Sequence, residues 1–183
     1  MTQASIPILE TERLTLRAFK LEDASAFERL IAPKEVTDGT LSFPHPVPQG
    51  WGIECINRMT ERLESGDHVE FAIVARETGA MIGGIGLGIT ARHKRGGLGY
   101  WLGTDFWRKG FATEAARAVL NYGFQTLELH RIEAGHYPRN PASGRVLEKI
   151  GMQREGLMRG DVLKGDRFED TIMYARLRTD PTP

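Results

Sequence analysis

Between Ala112 and Leu127 the apolar residues Ala112, Ala115, Ala116, Val119, Leu120, Phe124 and Leu127 recur at offsets 0, 3, 4, 7, 8, 12 and 15. That spacing predicts a long helix with one buried face. A face of this size needs another layer to cover it, and at 183 residues the chain is long enough to bury a core of two or three layers. One domain over residues 1–183 is expected.

The segments on either side supply candidate layers. Leu14 to Phe19 alternates as a half-buried strand, and Leu21 to Ala32 carries Leu21, Ala24, Phe27, Leu30 and Ile31 at helical spacing. Pro33 to Gly50, with SFPHPVP inside it, is expected to be a long loop, because proline lacks a donor and restricts the residue before it. Trp51, Cys55, Ile56, Met59 and Leu63 mark a second amphipathic helix. Glu70 to Arg76 and Met81 to Thr90 make a hairpin, Leu98 to Gly103 a strand and Arg131 to Tyr137 another. Pro141 to Ile150 is a short helix, and Gln153 to Arg178 a closing hairpin that turns at Lys164-Gly165-Asp166. Glycines 83, 84, 86 and 88 lie inside a strand and do not form G-x-G-x-x-G, so they point to close backbone approach or a bulge rather than to a dinucleotide loop. The pattern predicts an α/β (α+β) fold, a mixed sheet with helices packed on it.

Charge and cysteine content narrow the function. Lys+Arg and Asp+Glu both count 24, so no net field draws the chain to nucleic acid or an anionic membrane, and any anion site must be local. Arg92 to Arg95 is expected to be a solvated basic turn. No apolar run approaches the ~20 residues that span a bilayer. The lone Cys55 excludes an internal disulfide, and the N-terminal MTQASIPILETERL has neither a charged n-region nor an apolar h-region, which together predict a cytoplasmic protein.

The stretch WRKGFATEA, Trp107 to Ala115, opens the long helix. The first four backbone N–H groups of a helix lack carbonyl partners, and the macrodipole puts roughly half a positive charge there, so such a start can hold a phosphate through main chain alone. Gly110 keeps a Cβ out of the way, Arg108 and Lys109 add charge, and Ala112 is small. A plain helix start is the other reading. About 30 residues on, Asn140-Pro141-Ala142-Ser143 places Asn at an N-cap and Pro at the first helical position.

Taken together, Tyr100-Trp101-Leu102-Gly103, Phe106 to Ala115, Asn140 to Ser143, Lys149 to Met152 and Glu155-Gly156 resemble the GNAT acyltransferases, most closely their RimJ/RimL-like ribosomal-protein N-acetyltransferase branch. The resemblance runs from Leu14-Thr15-Leu16-Arg17 to Asp170 and Tyr174. It implies a mostly antiparallel, splayed sheet of about seven strands with about four helices on both faces. It implies acetyl-CoA as co-substrate and no metal. By the same resemblance, backbone N–H groups of Arg108, Lys109, Gly110, Phe111, Ala112 and Thr113 cradle the diphosphate. Tyr100, Trp101 and Leu102 offer main chain to the pantetheine arm, and Asn140 bonds that arm near its thiol end.

The tyrosine many GNAT enzymes carry about seven residues after the asparagine is Leu147 here, which excludes that acid. The branch implies that Ser143 donates to the departing sulfur and that an acidic residue before the final hairpin turn acts as base. Asp161 matches that position across a one-residue gap; a solvent-exposed strand-end carboxylate is the alternative, and Glu155, Asp166 and Asp170 compete. Homodimers are common in the branch, and the sequence adds nothing of its own on assembly.

The reaction expected is direct attack of a neutral amine on the thioester, without an acyl-enzyme, since Cys55 sits on the apolar stripe of its helix. An α-amine loses its proton more easily than a lysine by roughly 3 kcal/mol at neutral pH, which favours a protein N-terminus or a small amine as acceptor. The acceptor is expected between the Pro33 to Gly50 loop, the following helix and the final hairpin, where His45 and Trp51 lie. A small-molecule acetyltransferase acting on a polyamine, amino acid or antibiotic, and a non-catalytic acyl-CoA-binding module, are the alternative functions.

Overall fold

The computed structural model describes residues 6–181. Residues 1–5, part of the stretch expected to lack a leader, and residues 182–183 lie outside the described residues. Along the chain come β1 (Leu9–Glu10), β2 (Leu14–Ala18), α1 (Ala24–Ile31), α2 (Lys34–Asp38), α3 (Trp51–Glu64) and β3 (His68–Ala75). They are followed by β4 (Met81–Thr90), β5 (Arg95–Leu102), α4 (Phe111–Gln125), β6 (Arg131–His136), α5 (Pro141–Lys149), β7 (Gln153–Lys164) and β8 (Arg167–Leu177).

The strands form one open sheet in the order β1-β2-β3-β4-β5-β6-β8-β7, antiparallel at every step except β5 with β6. The α/β class expected from the sequence is therefore the one observed, with eight strands and five helices rather than about seven and four. Both additions are short. The two residues of β1 are held by pairing with Leu16 and Thr15 and are too few to show a period. The five residues of α2 fall in the segment expected to be loop; Pro33 stands at the N-cap with extended backbone and so precedes the helix instead of breaking it.

The central strands are covered on both faces, and for this reason β3 is apolar along most of its length rather than alternating. Phe71 and Ile73 cluster with Leu14, Leu16, Ile85 and the α4 residues Ala116, Val119 and Leu120. Ala72 and Val74 cluster on the other side with Phe27 and Ile31 of α1, Cys55 of α3 and Trp101. The glycines of β4 serve close approach, as expected: a Cβ on Gly83 would lie 2.2 Å from the Trp101 carbonyl oxygen. The basic residues Arg92 to Lys94 form an exposed turn, and β5 begins at Arg95, three residues earlier than its apolar pattern suggests, because it pairs there with both neighbours.

Position of the site follows from how briefly β5 and β6 meet. They pair over Arg95–Gly97 and Arg131–Glu133 only. From Leu98 onward β5 pairs with β4 alone, and from Ala134 onward β6 pairs with β8 alone, so the sheet opens as a wedge. Glu133 closes the joined end, within 3.4 Å of Arg95 and 3.2 Å of Arg131.

A clamp fixes the start of α4 beside that wedge. Glu114, in its first turn, accepts from Thr11 Oγ1 at 2.6 Å, from the Arg13 backbone N–H at 2.8 Å and from Arg13 Nε at 2.7 Å. The Arg13 guanidinium also donates to the Lys109 carbonyl at 3.0 Å and lies 4.6 Å from the Phe111 ring centre. Burial pushes the Glu114 carboxyl up, but the Thr11 and Arg13 bonds outweigh it and hold it below its ordinary 4.5. The unfolded chain therefore takes up this proton first as pH falls, so the clamp stabilises fully above about pH 4.5 and is lost below it. Melting temperatures taken between about pH 5 and 3 should fall more steeply for the natural protein than for Glu114→Gln; parallel curves would refute the clamp.

Candidate active site

The turn before α4 has an unusual backbone. Arg108 (φ 62°) and Gly110 (φ 83°) are both left-handed, and the former costs an arginine on the order of 1 kcal/mol. Such a turn aims successive N–H groups into one concavity. Gly110 is the N-cap and provides no side-chain cap; the first bond into the helix is Glu114 N–H to the Gly110 carbonyl at 3.0 Å. Among the described residues, no protein acceptor takes the backbone N–H of residues 108–113. Fifteen residues of aligned helix therefore end on free donors beside the exposed Arg108 and Lys109, which suits a diphosphate. Trp107 tethers this turn to β5, its Nε1 donating to the Leu102 carbonyl at 2.8 Å.

The wedge begins where that tether ends. Gly103 N–H donates to the Ile82 carbonyl, and the alternation of an antiparallel ladder then turns the main-chain groups of Leu102, Tyr100 and Leu98 away from β4 and into the gap. The Leu102 carbonyl is taken by Trp107, which leaves Tyr100 as the central open backbone position. Trp101, expected in the same role, pairs its main chain with Gly84, and its buried indole lies 4.9 Å from Phe27 and 5.4 Å from Phe43 on the opposite face.

Across the gap stands α5. Asn140 caps it, Oδ1 accepting from Ser143 N–H at 3.3 Å, with Pro141 in the first turn as the sequence predicts. Ser143 and Tyr100 meet here: the two hydroxyl oxygens are 2.7 Å apart, and the phenol is 3.1 Å from the Ser143 carbonyl oxygen. Burial pushes the Tyr100 hydroxyl up to about 12, against the smaller opposing effect of the Ser143 bond. Leu147, where many GNAT enzymes carry tyrosine, is fully buried in the core.

The acidic candidates separate clearly. Glu155 forms a two-pronged pair with Arg131, at 2.7 and 2.5 Å. Asp170 accepts from the Gly160 N–H at 2.8 Å. Both are thereby committed elsewhere. Asp161 is exposed, lies in an irregularity of β7 between Met158 and Val162, and forms no ion pair among the described residues; Asp166 is exposed at the hairpin turn.

A cavity of about 710 Å³ lies between the 33–50 segment, α3 and the hairpin tip. His45 and Trp51 both line it. Lys164 at the hairpin tip donates to the carbonyls of Thr37 at 2.8 Å, Phe43 at 3.2 Å and Thr40, fixing the loop against the hairpin. Arg139 joins the same parts from below through the Asp38 carbonyl and Glu169. Gly39 brings this loop against the wedge, since a Cβ there would be 3.4 Å from Asn140 Nδ2. Asp38, paired with Lys34, is the one carboxylate in the lining. The Arg13–Glu114, Tyr100–Ser143 and Lys164 contacts join residues 101, 43 and more than 120 positions apart, and no local pattern could have disclosed them.

Cys55 is buried, burial pushes its thiol up, and the nearby Arg58 guanidinium nitrogen lies 3.0 Å from its Sγ without reversing that. No helix among the described residues is long and apolar enough to cross a membrane.

Comparison with known proteins bears directly on this arrangement. Residues 13–153 match the acetyltransferase (GNAT) domain family. The chain is similar to an uncharacterized N-acetyltransferase, p20, of Bacillus licheniformis, at 35% identity over 94% of this chain and 97% of that protein. It is also similar to the ribosomal protein uS5-alanine N-acetyltransferase of Escherichia coli, at 29% identity over 96% of this chain and 93% of that one. RimJ of Mycobacterium smegmatis, solved in complex with a CoA-disulfide, shares the fold with a TM-score of 0.81 at 22% identity, over 96% of this chain and 88% of that one. An open strand edge, an uncapped helix start and a family match that spans both make this chain a member of the GNAT family and an acetyl-CoA-dependent N-acetyltransferase.

Proposed function

We propose that the protein acetylates the α-amine of a protein N-terminus, in the manner the name of its Escherichia coli relative describes. The observation that carries this reading is the acceptor cavity: it is wide, formed by a loop and a hairpin tip, and lined by Lys34, Arg58 and Lys164 against the single carboxylate of Asp38. A polyamine or aminoglycoside needs several carboxylates, whereas an N-terminal residue offers one amine and a chain that leaves through the open side. Cations around the cavity also favour the neutral form of an arriving amine.

In the proposed site, the N–H groups of residues 108–113 hold the diphosphate of acetyl-CoA, with Arg108 and Lys109 beside it. Main-chain groups of Tyr100 and the side chain of Asn140 align the extended arm. Acetyl-CoA supplies the activated acyl group. The neutral amine attacks from the cavity side, Asp161 accepts the proton it sheds, and Ser143 donates to the sulfur as the C–S bond breaks. Main-chain donors of β5 face the developing oxyanion.

Three outcomes are expected. Gly110→Ala puts a methyl among the free donors and an alanine at positive φ, so the dissociation constant for acetyl-CoA measured by calorimetry should rise about tenfold with the fold intact; unchanged affinity refutes the phosphate seat. Cys55→Ala should keep full turnover, and its loss in a folded variant would contradict direct transfer. In thiol-release assays, peptides with free N-termini should exceed polyamines, free amino acids and aminoglycosides in kcat/KM by at least about tenfold, or roughly 1.4 kcal/mol. A small amine at the head of that ranking would replace this acceptor assignment.

A further inference from the structure

Ser143 is a poor proton source unless something aims it. Its N–H is committed to Asn140 through both Oδ1 and the carbonyl oxygen, at 3.3 and 3.2 Å, and its carbonyl lies in the first turn of α5. Only the hydroxyl rotor is free, and a hydroxyl turns to suit its strongest partner. Its one side-chain partner among the described residues is the Tyr100 hydroxyl at 2.7 Å.

A phenol has a single proton, so this pair has two arrangements. Tyr100 donates to the Ser143 carbonyl, at 3.1 Å, and Ser143 then spends its own proton on the phenol oxygen. Alternatively, Tyr100 donates to Ser143 Oγ, and the serine proton is released to point elsewhere. A sulfur that gains charge in the gap between β5 and α5 selects the second arrangement, a continuous chain from phenol to serine to sulfur.

We propose that Tyr100 is a positioning residue whose hydroxyl turns the Ser143 proton toward the departing thiol, so that β5 supplies the phenol that α5 lacks at Leu147. This inference rests on the assignment of Ser143 as donor. In the transfer the C–N bond forms, the C–S bond breaks and its electron pair goes to sulfur. The nitrogen sheds one proton to Asp161 and the sulfur gains one from Ser143; solvent water then returns a proton to the Ser143 oxygen and takes the one held by Asp161, so that Tyr100 begins and ends as the neutral phenol. Its burial keeps it in that form through the working range of pH.

A double-mutant cycle on the full chain tests this. Tyr100→Phe keeps the ring and should lower kcat about five- to tenfold, the scale of one hydrogen bond, with KM for acetyl-CoA within about twofold. Ser143→Ala should lower kcat by about a hundredfold, and the double variant should be no slower than Ser143→Ala. Full kcat in Ser143→Ala overturns the donor assignment itself. Multiplicative losses in the double variant, or full kcat in Tyr100→Phe, overturn the role of Tyr100 alone. A second measurement covers misfolding of the phenylalanine variant: 3,5-difluorotyrosine at position 100 has a more acidic phenol. It should bring an alkaline fall in kcat that the natural protein lacks at the same pH, because a tyrosinate cannot donate. An identical pH profile would also overturn the proposal.

Discussion

Among the described residues, three residue pairs of parallel ladder, Arg95–Gly97 against Arg131–Glu133, are the only strand pairing between the two halves of the sheet. Were β5 and β6 paired throughout, the main chain of Tyr100 would be satisfied within the sheet and α5 would have no gap to border. Because they part after Gly97, β5 keeps one edge open, and unpaired strand edges accept extended ligands through main chain. The charged contacts of Glu133 hold the joined end shut, and the clamp of Arg13 on Glu114 holds the start of α4 at the open end. The site is thus a place where regular structure stops for defined reasons.

The two sides of the wedge differ in chemistry. The α4 and α5 side offers fixed dipoles: uncapped N–H groups in a turn that contains two left-handed residues, then a capped helix carrying Ser143. Those donors need no reorganisation to receive an anion, which suits a helix start to a charged ligand. The opposite side is an aromatic wall of Phe27, Phe43, Trp51 and Trp101, closed over by a segment that Lys164 and Arg139 fasten to the β7–β8 hairpin. The cavity beside it is lined by Lys34, Arg58 and Lys164 and by a single carboxylate, Asp38, which Lys34 pairs.

What the sequence disclosed follows the range of the interactions involved. The α4 stripe, the Asn140 cap and the glycines of β4 are local signals, and each appears in the structure where expected. The α2 helix was hidden because five residues hold no full period and the prolines around it argue for loop. The early start of β5 depends on pairing with both β4 and β6, the latter some 36 positions away, rather than on its own apolar pattern. Likewise, the irregularity that holds Asp161 is a change of register against β8, and its one local trace along β7 is Gly160, left-handed at φ 59°. The commitment of Glu155 to Arg131 and of Asp170 to Gly160 separates the acidic candidates only once the strands are laid side by side.

The proposed grip of backbone N–H groups on a diphosphate is measured most directly at those groups. Amide resonances of residues 108–113 can be followed by NMR as the protein is titrated with CoA and, separately, with pantetheine, which has the arm but no diphosphate. Large downfield shifts at these amides with CoA, absent with pantetheine, are predicted. Equal shifts with both ligands, or none with CoA at saturation, would contradict a phosphate seat at the start of α4.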